Sequence, residues 1–353
     1  MEDNLKPRDP QSSKIAMDLH LVKKAMGIEV RRIILWGVLV LVAILKVKVA
    51  HATEAIPANA YLSFLEGSIF DEAADDGDSK VPPSYVTEKV SFYVDHFTTR
   101  ERVVFQKWLD RAGPFVPLMR EIFREEGLPE DLVLLPLIES GFRVDARSSK
   151  KAMGLWQFMA ATGTLYGLKV DKWVDERKDP VKSTRAAARH LKDLYNTFGT
   201  WPLALASYNA GSGKVKRALA RTGSSDFWEL GQRRALVAET RNYVPKFMAA
   251  MIIAKNPDAF GFTFSEEPFI RYDALEVPGG MGLASLAKIA GTDFRSLRRL
   301  NPELKGNILP FDRSYYTVRL PEGKRSFWIC RFSTERLSTV RSTLAARMQA
   351  QRL

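Results

Sequence analysis

The sequence predicts a mainly α fold in which a helical domain, residues 86–257, is followed by a small α+β module, residues 266–325. Apolar residues recur at three- and four-residue spacing through the first region, with almost none of the alternation typical of strands. After residue 264 the pattern becomes strand, helix, helix, strand. Gly and Pro mark the ends of most predicted elements, which gives the helices definite limits.

The composition is that of an ordinary globular protein, with 46% hydrophobic and 27% charged residues among 353, which excludes wholesale disorder. The net charge of +12 suggests an anionic partner, such as nucleic acid, a membrane surface or an acidic polymer like a bacterial cell wall. The basic residues are spread out and form no stripe with aromatic residues, so nucleic-acid binding is not expected. A single cysteine, Cys330, excludes an internal disulfide framework, and four scattered histidines show no ligand spacing. We expect no metal.

Residues 1–52 predict an exported chain. The apolar run 33–45 follows an arginine pair and precedes small residues, and it is shorter than the roughly 20 residues that a membrane span needs. We interpret it as a signal peptide cleaved after Ala52, with Met26 as an alternative start. The alternative is a retained membrane anchor with its basic side in the cytoplasm. Either interpretation places the rest of the chain in the periplasm or cell envelope.

Residues 53–85 are acidic and contain a proline pair, which predicts a flexible linker. A helical pattern follows, up to a Gly-Leu-Pro break at 127–129. Pro129 and the two acidic residues after it predict a helix start. The apolar run 132–138 leaves no polar face, so this helix should be buried all round and end at Gly141.

The later elements have equally local signals. Asp179-Pro180 predicts a helix start and Gly199 its end, and Thr200-Trp201-Pro202 opens another helix that ends at Gly211. A further helix should run from about residue 235 to 255. The C-terminal module should contain a strand at 269–277, helices at 283–290 and 293–300, and a strand at 315–320. Residues 326–353 form a basic tail with a helical pattern.

Glu139 is the one carboxylate at the end of the apolar run 132–138. Apolar neighbours and the negative end of a helix both disfavour a charged carboxylate, so its pKa should be raised. A carboxyl that stays protonated near neutral pH is what a general acid requires. The alternative is a glutamate that simply reaches solvent at a helix end.

Three more clusters place polar groups among large apolar residues, at 154–158, 207–211 and 240–245. Amides and hydroxyls suit sugar hydroxyls, and aromatic rings suit sugar faces, so together they are typical of a saccharide cleft. Each also has an ordinary structural interpretation. Gln157 would then cap a helix, Asn209 would end one, and the tyrosines would belong to the core.

Glu139-Ser140, Gly154–Gln157, Tyr208–Gly211 and Tyr243, in this order, resemble the motif set of the soluble-lytic-transglycosylase (goose-lysozyme-like) superfamily, in particular its membrane-bound D-type branch. The resemblance implies a lysozyme-like helical catalytic domain that acts on peptidoglycan glycan strands without a cofactor. It also implies a degenerate LysM-like module at 266–325. By match to the family's motifs, Glu139 would be the catalytic acid/base. The residues implied to line the saccharide cleft are Ser140, Gln157, Tyr208, Asn209 and Tyr243.

A single carboxylate predicts a particular reaction. Glu139 would protonate the leaving oxygen of the MurNAc–GlcNAc β-1,4 bond and then take the proton of the sugar's own 6-hydroxyl, which closes on C1. The product is a 1,6-anhydromuramoyl end. Asp145, the nearest second carboxylate, lies in a polar loop and is expected to be structural. Two alternatives stay open at this point: a muramidase hydrolase of the same fold, and a non-catalytic peptidoglycan-binding protein. The sequence leaves the oligomeric state open.

Overall fold

The computed structural model describes residues 68–70, 84–326 and 328–330. The predicted leader at 1–52, most of the predicted linker and most of the basic tail lie outside these residues. Within the described ranges, no helix is both long and apolar enough to cross a membrane. All the described residues belong to one compact unit.

Every regular element between residues 84 and 260 is helical, as predicted. In chain order they are α1 (Ser84–Thr98), α2 (Arg102–Ala112), α3 (Val116–Glu125), a 3₁₀ turn (Glu130–Leu134), α4 (Pro136–Ser140), α5 (Ala160–Leu165), a 3₁₀ turn (Glu176–Lys178), α6 (Pro180–Phe198), α7 (Trp201–Ala210), α8 (Ser212–Thr222), α9 (Phe227–Gln232), α10 (Ala238–Lys255) and a 3₁₀ turn (Pro257–Phe260).

Helix α10 lies at the centre of this helical part. It packs against α1, α4 and α7, and it is buried on almost every side from Tyr243 onward. Such an all-round apolar helix is expected at the middle of a core. It begins at Ala238, three residues later than predicted, and its C-terminal boundary at Lys255 agrees with the prediction.

The segment that carries Glu139 differs from the prediction of one continuous buried helix. A 3₁₀ turn (Glu130–Leu134) is followed by the five-residue α4 (Pro136–Ser140). Pro136 has no amide hydrogen and cannot donate back to Leu132, so the chain uses three-residue hydrogen bonds such as Leu135 N to Leu132 O, 3.1 Å. Gly141 adopts the left-handed conformation and ends α4, as predicted.

The predicted limits of α6 are confirmed by its caps. The Asp179 carboxylate accepts hydrogen bonds from the amides of Val181, 3.0 Å, and Lys182, 2.9 Å. Pro180 occupies the first turn, and Gly199 ends the helix with a φ of 75°. Helix α7 follows after Thr200 and ends before Gly211, again as predicted.

The C-terminal module has the predicted order of strand, helix, helix and strand. Its elements are β1 (Tyr272–Pro278), α11 (Leu283–Ala290), α12 (Phe294–Leu300) and β2 (Tyr315–Pro321). The strands pair antiparallel, with Tyr272 opposite Pro321 and Pro278 opposite Tyr315. Alternate residues of each strand are buried against the helices. The mainly α fold class with a small α+β module is confirmed, and the exact domain boundaries remain a prediction.

The segment 171–179 joins the two parts of the chain. Val174 is fully buried in the core of the C-terminal module. The amide of Asp175 donates to the Glu303 carbonyl at 2.8 Å, and the amide of Lys305 donates to the Trp173 carbonyl at 2.8 Å. The module therefore shares packing and backbone hydrogen bonds with a loop of the helical domain.

Candidate active site

A cavity of about 580 Å³ opens among α1, α4, α5, α6, α7, α10 and the loop 148–159. Its size is within the range of pockets that hold small ligands. Five of the six residues implied by the resemblance line it: Glu139, Gln157, Tyr208, Asn209 and Tyr243. Segments that are distant in sequence are therefore brought together around one space.

Glu139 is half-buried at the end of α4, and the hydroxyl of Tyr243 donates a hydrogen bond to its Oε1. Burial raises the pKa of Glu139 from 4.5 to about 7, against the opposing effects of the Tyr243 hydrogen bond and the Lys246 charge. Glu239 contributes a smaller upward shift to the same pKa. The predicted direction of the shift is confirmed, with burial as its main cause.

Tyr208 and Asn209 are held by hydrogen bonds to the scaffold. The Tyr208 hydroxyl donates to the Trp156 carbonyl at 2.8 Å. Thr240, which is 1% exposed, donates to Asn209 Oδ1 at 2.9 Å. Since that oxygen is occupied, the amide NH₂ of Asn209 is the group that can donate to a ligand. Burial raises the pKa of both Tyr208 and Tyr243 well above 10, so both remain protonated donors.

Gln157 belongs to a tight turn that forms one wall of the cavity. Its φ of 48° is left-handed, and its Nε2 donates to the carbonyls of Gly154, 2.8 Å, and Ala146, 3.2 Å. These bonds offset the cost of an unusual backbone conformation. The Gln157 side chain therefore holds the turn together and also lies on the cavity wall, where its amide oxygen can accept a hydrogen bond.

Ser140 is the one member of the implied set that does not line the cavity. Its hydroxyl donates to the Leu155 carbonyl at 2.8 Å. This bond ties the end of α4 to the turn at 154–158. Ser140 therefore positions two parts of the cavity wall and offers a ligand no free hydroxyl there.

Sequence reasoning missed a row of polar residues on α10. Glu239, Asn242 and Lys246 line the cavity beside Tyr243, at spacings of three and four residues. Ile138, predicted to be fully buried, is half-buried because it too reaches the cavity. The signal was available, since polar residues at helical spacing on an otherwise apolar helix mark a face toward water or a ligand.

Two more cavity residues were not predicted. His190 lies 5.1 Å from the Tyr208 ring, centroid to centroid, and burial lowers its pKa to about 4, so it is neutral. Ser148 contributes a hydroxyl that accepts from the Ala152 amide at 2.9 Å. The folding of the loop places Ser148 at the cavity, and the packing of α6 places His190 there. The sequence around each residue does not indicate that it lines a cavity.

Asp145 lies outside this cavity, and its structural role remains a prediction. Its side chain is 69% exposed and pairs with Arg143 at 3.3 Å. The second carboxylate on the cavity wall is instead Glu239, which is 70% exposed and 3.9 Å from Lys150. Among the described residues, no group of three or more His, Cys, Asp or Glu could hold a metal ion.

Two stretches of the chain match models of known domain families. Residues 120–230 match the family model of the transglycosylase SLT domain, and residues 271–330 match that of the lytic transglycosylase MltD LysM-like domain. The chain is thus similar to an SLT domain and, after it, to an MltD-type LysM-like domain, and these two stretches are called the SLT domain and the LysM-like module below. The predicted resemblance is confirmed. The SLT match includes every implied site residue except Tyr243, which follows it on α10.

Curated relatives extend the comparison. The chain is 34% identical over 244 residues to the membrane-bound lytic murein transglycosylase D of Escherichia coli strain K12, covering 67% of this chain and 52% of that protein. It is 39% identical over 111 residues to a putative tributyltin chloride resistance protein of Alteromonas sp. strain M-1, covering 31% of this chain and 54% of that one. The chain thus spans about half the length of these curated relatives.

One solved structure aligns with part of this chain. The 70 kDa soluble lytic transglycosylase Slt70 of Escherichia coli aligns over 50% of this chain and 31% of its own, with a TM-score of 0.37 and 20% sequence identity.

Proposed function

We propose that this chain is a lytic transglycosylase that cleaves the MurNAc–GlcNAc β-1,4 bond of peptidoglycan and leaves a 1,6-anhydromuramoyl end. The observation that carries the proposal is Glu139, a carboxyl with a pKa of about 7 on the wall of a cavity lined by amides and aromatic residues. A group that is partly protonated at neutral pH can serve as both acid and base. The relative named membrane-bound lytic murein transglycosylase D supports the same activity.

The first step of the proposed reaction is proton donation. Because Tyr243 donates to Oε1 of Glu139, the second oxygen, Oε2, is the one available to carry the proton to the glycosidic oxygen. The C1–O bond breaks as the leaving sugar takes that proton. The NH₂ of Asn209 and the oxygen of Gln157 are placed to hold sugar substituents while positive charge develops at C1.

The second step closes the ring. The Glu139 carboxylate takes the proton of the 6-hydroxyl while the oxygen of that hydroxyl bonds to C1. Glu139 is thereby protonated again, as it was before the first step. No water enters the product, and the attacking group is already part of the substrate, which lowers the entropic cost of the step. The Tyr243 hydroxyl stabilises the carboxylate that exists between the two steps.

We further propose that the chain acts in the periplasm or cell envelope. The predicted leader at 1–52, cleaved after Ala52 or retained as an anchor, supports export, and the relative from Escherichia coli is named as membrane-bound. The LysM-like module would bind glycan strands beside the SLT domain. Its match to the MltD-type model supports this role.

A muramidase hydrolase is the second candidate, and the presence of Glu239 as a second carboxylate on the cavity wall favours it. Hydrolytic glycosidases usually need two carboxylates, and Glu239 lies on the wall of the same cavity as Glu139. A hydrolase would use it to activate water. Its high exposure supports the transglycosylase, because an exposed carboxylate is solvated and offers a weaker base or nucleophile.

The decisive experiment is digestion of purified sacculi by the wild-type chain and by Glu139→Gln, with products weighed by mass spectrometry. Glu139→Gln keeps the shape of the side chain and removes both proton transfers, so turnover should fall on the order of 10²–10⁴-fold or more. Anhydro ends support the transglycosylase, and reducing ends, one water heavier, support the hydrolase. Sacculus binding without turnover by the wild-type chain would indicate the non-catalytic alternative.

Two control variants separate the carboxylates. Asp145→Asn should keep most activity, because Asp145 lies outside the cavity and pairs with Arg143. Glu239→Gln should reduce turnover much less than Glu139→Gln if one carboxylate performs the chemistry. A Glu239→Gln variant as inactive as Glu139→Gln would contradict the single-carboxylate mechanism.

A further inference from the structure

Lys246 occupies an unusual place on α10. From Tyr243 to Ala254 it is the only residue of that helix that is not buried; it is half-buried and lines the cavity that contains Glu139. It lies three residues after Tyr243, so the two side chains share one face of the helix. A lysine in an otherwise apolar helix is costly unless its charge remains solvated or meets an anion.

Within the described part of the chain, the ammonium group of Lys246 makes no hydrogen bond or ion pair, and its charge acts on Glu139 from a greater distance. Other lysines near the site do have partners. Lys89 donates to Asn242 Oδ1 at 2.9 Å, and Lys150 lies 3.9 Å from Glu239. Lys255, on the same helix, pairs with Asp131 at 3.1 Å. Of the two lysines that line the cavity, Lys246 is therefore the one whose ammonium group makes no hydrogen bond or ion pair with a described residue.

We propose that Lys246 binds a carboxylate on the lactyl-peptide substituent of the muramic acid residue beside the bond that is cleaved. The inference rests on the proposed function and specifies its substrate. Muramic acid differs from glucosamine by a lactyl ether, which ends in a free carboxylate or continues into a stem peptide that carries carboxylates. A lysine on the cavity wall selects such an anion over an uncharged sugar substituent.

The position of Lys246 fits the reacting group. Lys246 lines the same cavity as Glu139, which would protonate the muramoyl linkage, so a ligand anion at Lys246 lies in the same cavity as that linkage. Asn242 and Glu239 lie four and seven residues before it, on the same helix face. The cation would thus fix the orientation of the muramoyl unit through its acidic substituent, so that this unit, rather than a glucosamine unit, contributes the C1 atom of the bond that is cleaved.

The test measures binding in the Glu139→Gln background, where no substrate is consumed and no Glu139 charge remains for Lys246 to influence. Three glycan chains are compared: one with stem peptides, one whose peptides have been removed to leave lactyl carboxylates, and that same peptide-free chain with its carboxylates methyl-esterified. Lys246→Met keeps the length of the apolar side chain and removes the charge. We expect Kd to rise roughly tenfold or more for a carboxylate-bearing chain and less than about twofold for the ester.

The pattern across the three chains identifies the anion. A loss confined to the peptide-bearing chain assigns the stem peptide, and a loss on the peptide-free acid assigns the lactyl group. The matched control is Lys107→Met, which removes the same charge from an exposed position on α2 outside the cavity and should change no Kd. An equal rise for all three chains, or no rise for any, would overturn the proposal.

The two proposals fail separately in these experiments. Absence of turnover by the wild-type chain on sacculi would reject the transglycosylase activity and leave the binding comparison intact. If Lys246→Met then weakened binding of the acid-bearing glycan chains alone, a muramoyl-specific binding site would still be established. Conversely, turnover with no dependence of binding on Lys246 would reject the assigned carboxylate contact alone.

Discussion

At the scale of single residues, the protonation of Glu139 couples the chemistry to the stability of the fold. The carboxyl is half-buried at the cavity wall with apolar residues behind it, and burial outweighs the Tyr243 hydrogen bond in setting its pKa. The unfolded chain would bind that proton more weakly, at the ordinary value of 4.5. Folding stability must therefore depend on pH wherever the two states bind different numbers of protons.

The sign of this dependence follows from the raised pKa. Below pH 4.5 both states are protonated, and between 4.5 and about 7 the folded state holds more protons, so stability falls as pH rises through this window. Above about 7 the loss is complete and amounts to at most about 3 kcal/mol. Glu139→Gln removes this contribution, so its stability advantage over the wild-type chain should be small near pH 4.5 and reach up to about 3 kcal/mol above pH 7.

Urea unfolding of both chains at a series of pH values from 4 to 8 measures the difference directly. Only Glu139 differs between the two chains, so the contributions of other titrating groups cancel. A stability difference that stays constant across this range would mean that Glu139 has an ordinary pKa in the folded state, and it would remove the basis for its role as an acid.

At the scale of elements, the turn at 154–158 is the part of the cavity wall with the tightest backbone requirement. Gly154 has a φ of 82°, and a Cβ at this position would lie 1.9 Å from the Arg177 carbonyl oxygen. The same turn carries Gln157 in a left-handed conformation. The close approach matters because the Arg177 side chain donates to Phe158 O, 3.0 Å, and so ties the turn to the segment before α6.

We therefore expect Gly154→Ala to cost about 3 kcal/mol or more, because backbone strain and a main-chain clash add together. The matched control is Gly167→Ala. Gly167 has a φ of 88° but no atom within 4 Å of the added Cβ, so only the conformational cost of about 1–2 kcal/mol applies. Denaturant midpoints measure both, and equal losses would show that the clash relaxes without cost.

Local signals explain which elements were predictable. The Asp179-Pro180 start and the Gly199 end of α6 follow from capping and backbone preferences, so they were predicted correctly. The 3₁₀ turn before α4 was missed because an apolar run shows no periodicity that separates it from an α-helix. The left-handed Gln157 was missed because hydrogen bonds to Ala146 and Gly154 create that conformation, and these depend on the fold.

Most of the residues that the sequence implied for the saccharide cleft do line the cavity. Five implied residues meet at one cavity, whereas Ser140 turns its hydroxyl to a backbone carbonyl instead. The roles of these residues remain proposals. Glu239 and Lys246 could have been found from their helical spacing on the otherwise apolar α10, whereas His190 reaches the cavity through the packing of α6 and no motif in its own segment indicates that packing.

At the scale of the whole molecule, a buried ionic network holds the LysM-like module to the SLT domain. Arg319 of β2 pairs with Asp179, which is 0% exposed, and lies 3.6 Å from Glu303. Glu303 also accepts a hydrogen bond from Tyr316 at 3.2 Å. Composition and periodicity predicted a separate module and gave no indication of this connection, because charge pairs between distant segments leave no local pattern.

The network also reaches the cavity through α6. Asp179 caps that helix with its Oδ1 and binds Arg319 through its Oδ2, and His190 on the same helix lines the cavity. Removing the Arg319 charge would leave two buried carboxylates unpaired. Burial already raises the pKa of Glu303, an effect that the Arg319 charge opposes. Their desolvation would then have no compensating attraction.

Arg319→Met should therefore cost about 3–5 kcal/mol, the range for breaking a buried ion pair from one side. The matched control is Arg271→Met. Arg271 pairs with Glu322 at 3.7 Å in the same module, but these side chains are 78% and 61% exposed, so its loss should cost less than about 1 kcal/mol. Urea unfolding followed by circular dichroism compares the two variants at pH 7. If Arg319→Met is no less stable than Arg271→Met, the connection between the module and the SLT domain rests on the apolar packing of Val174 and its neighbours, and the ion pairs contribute orientation alone.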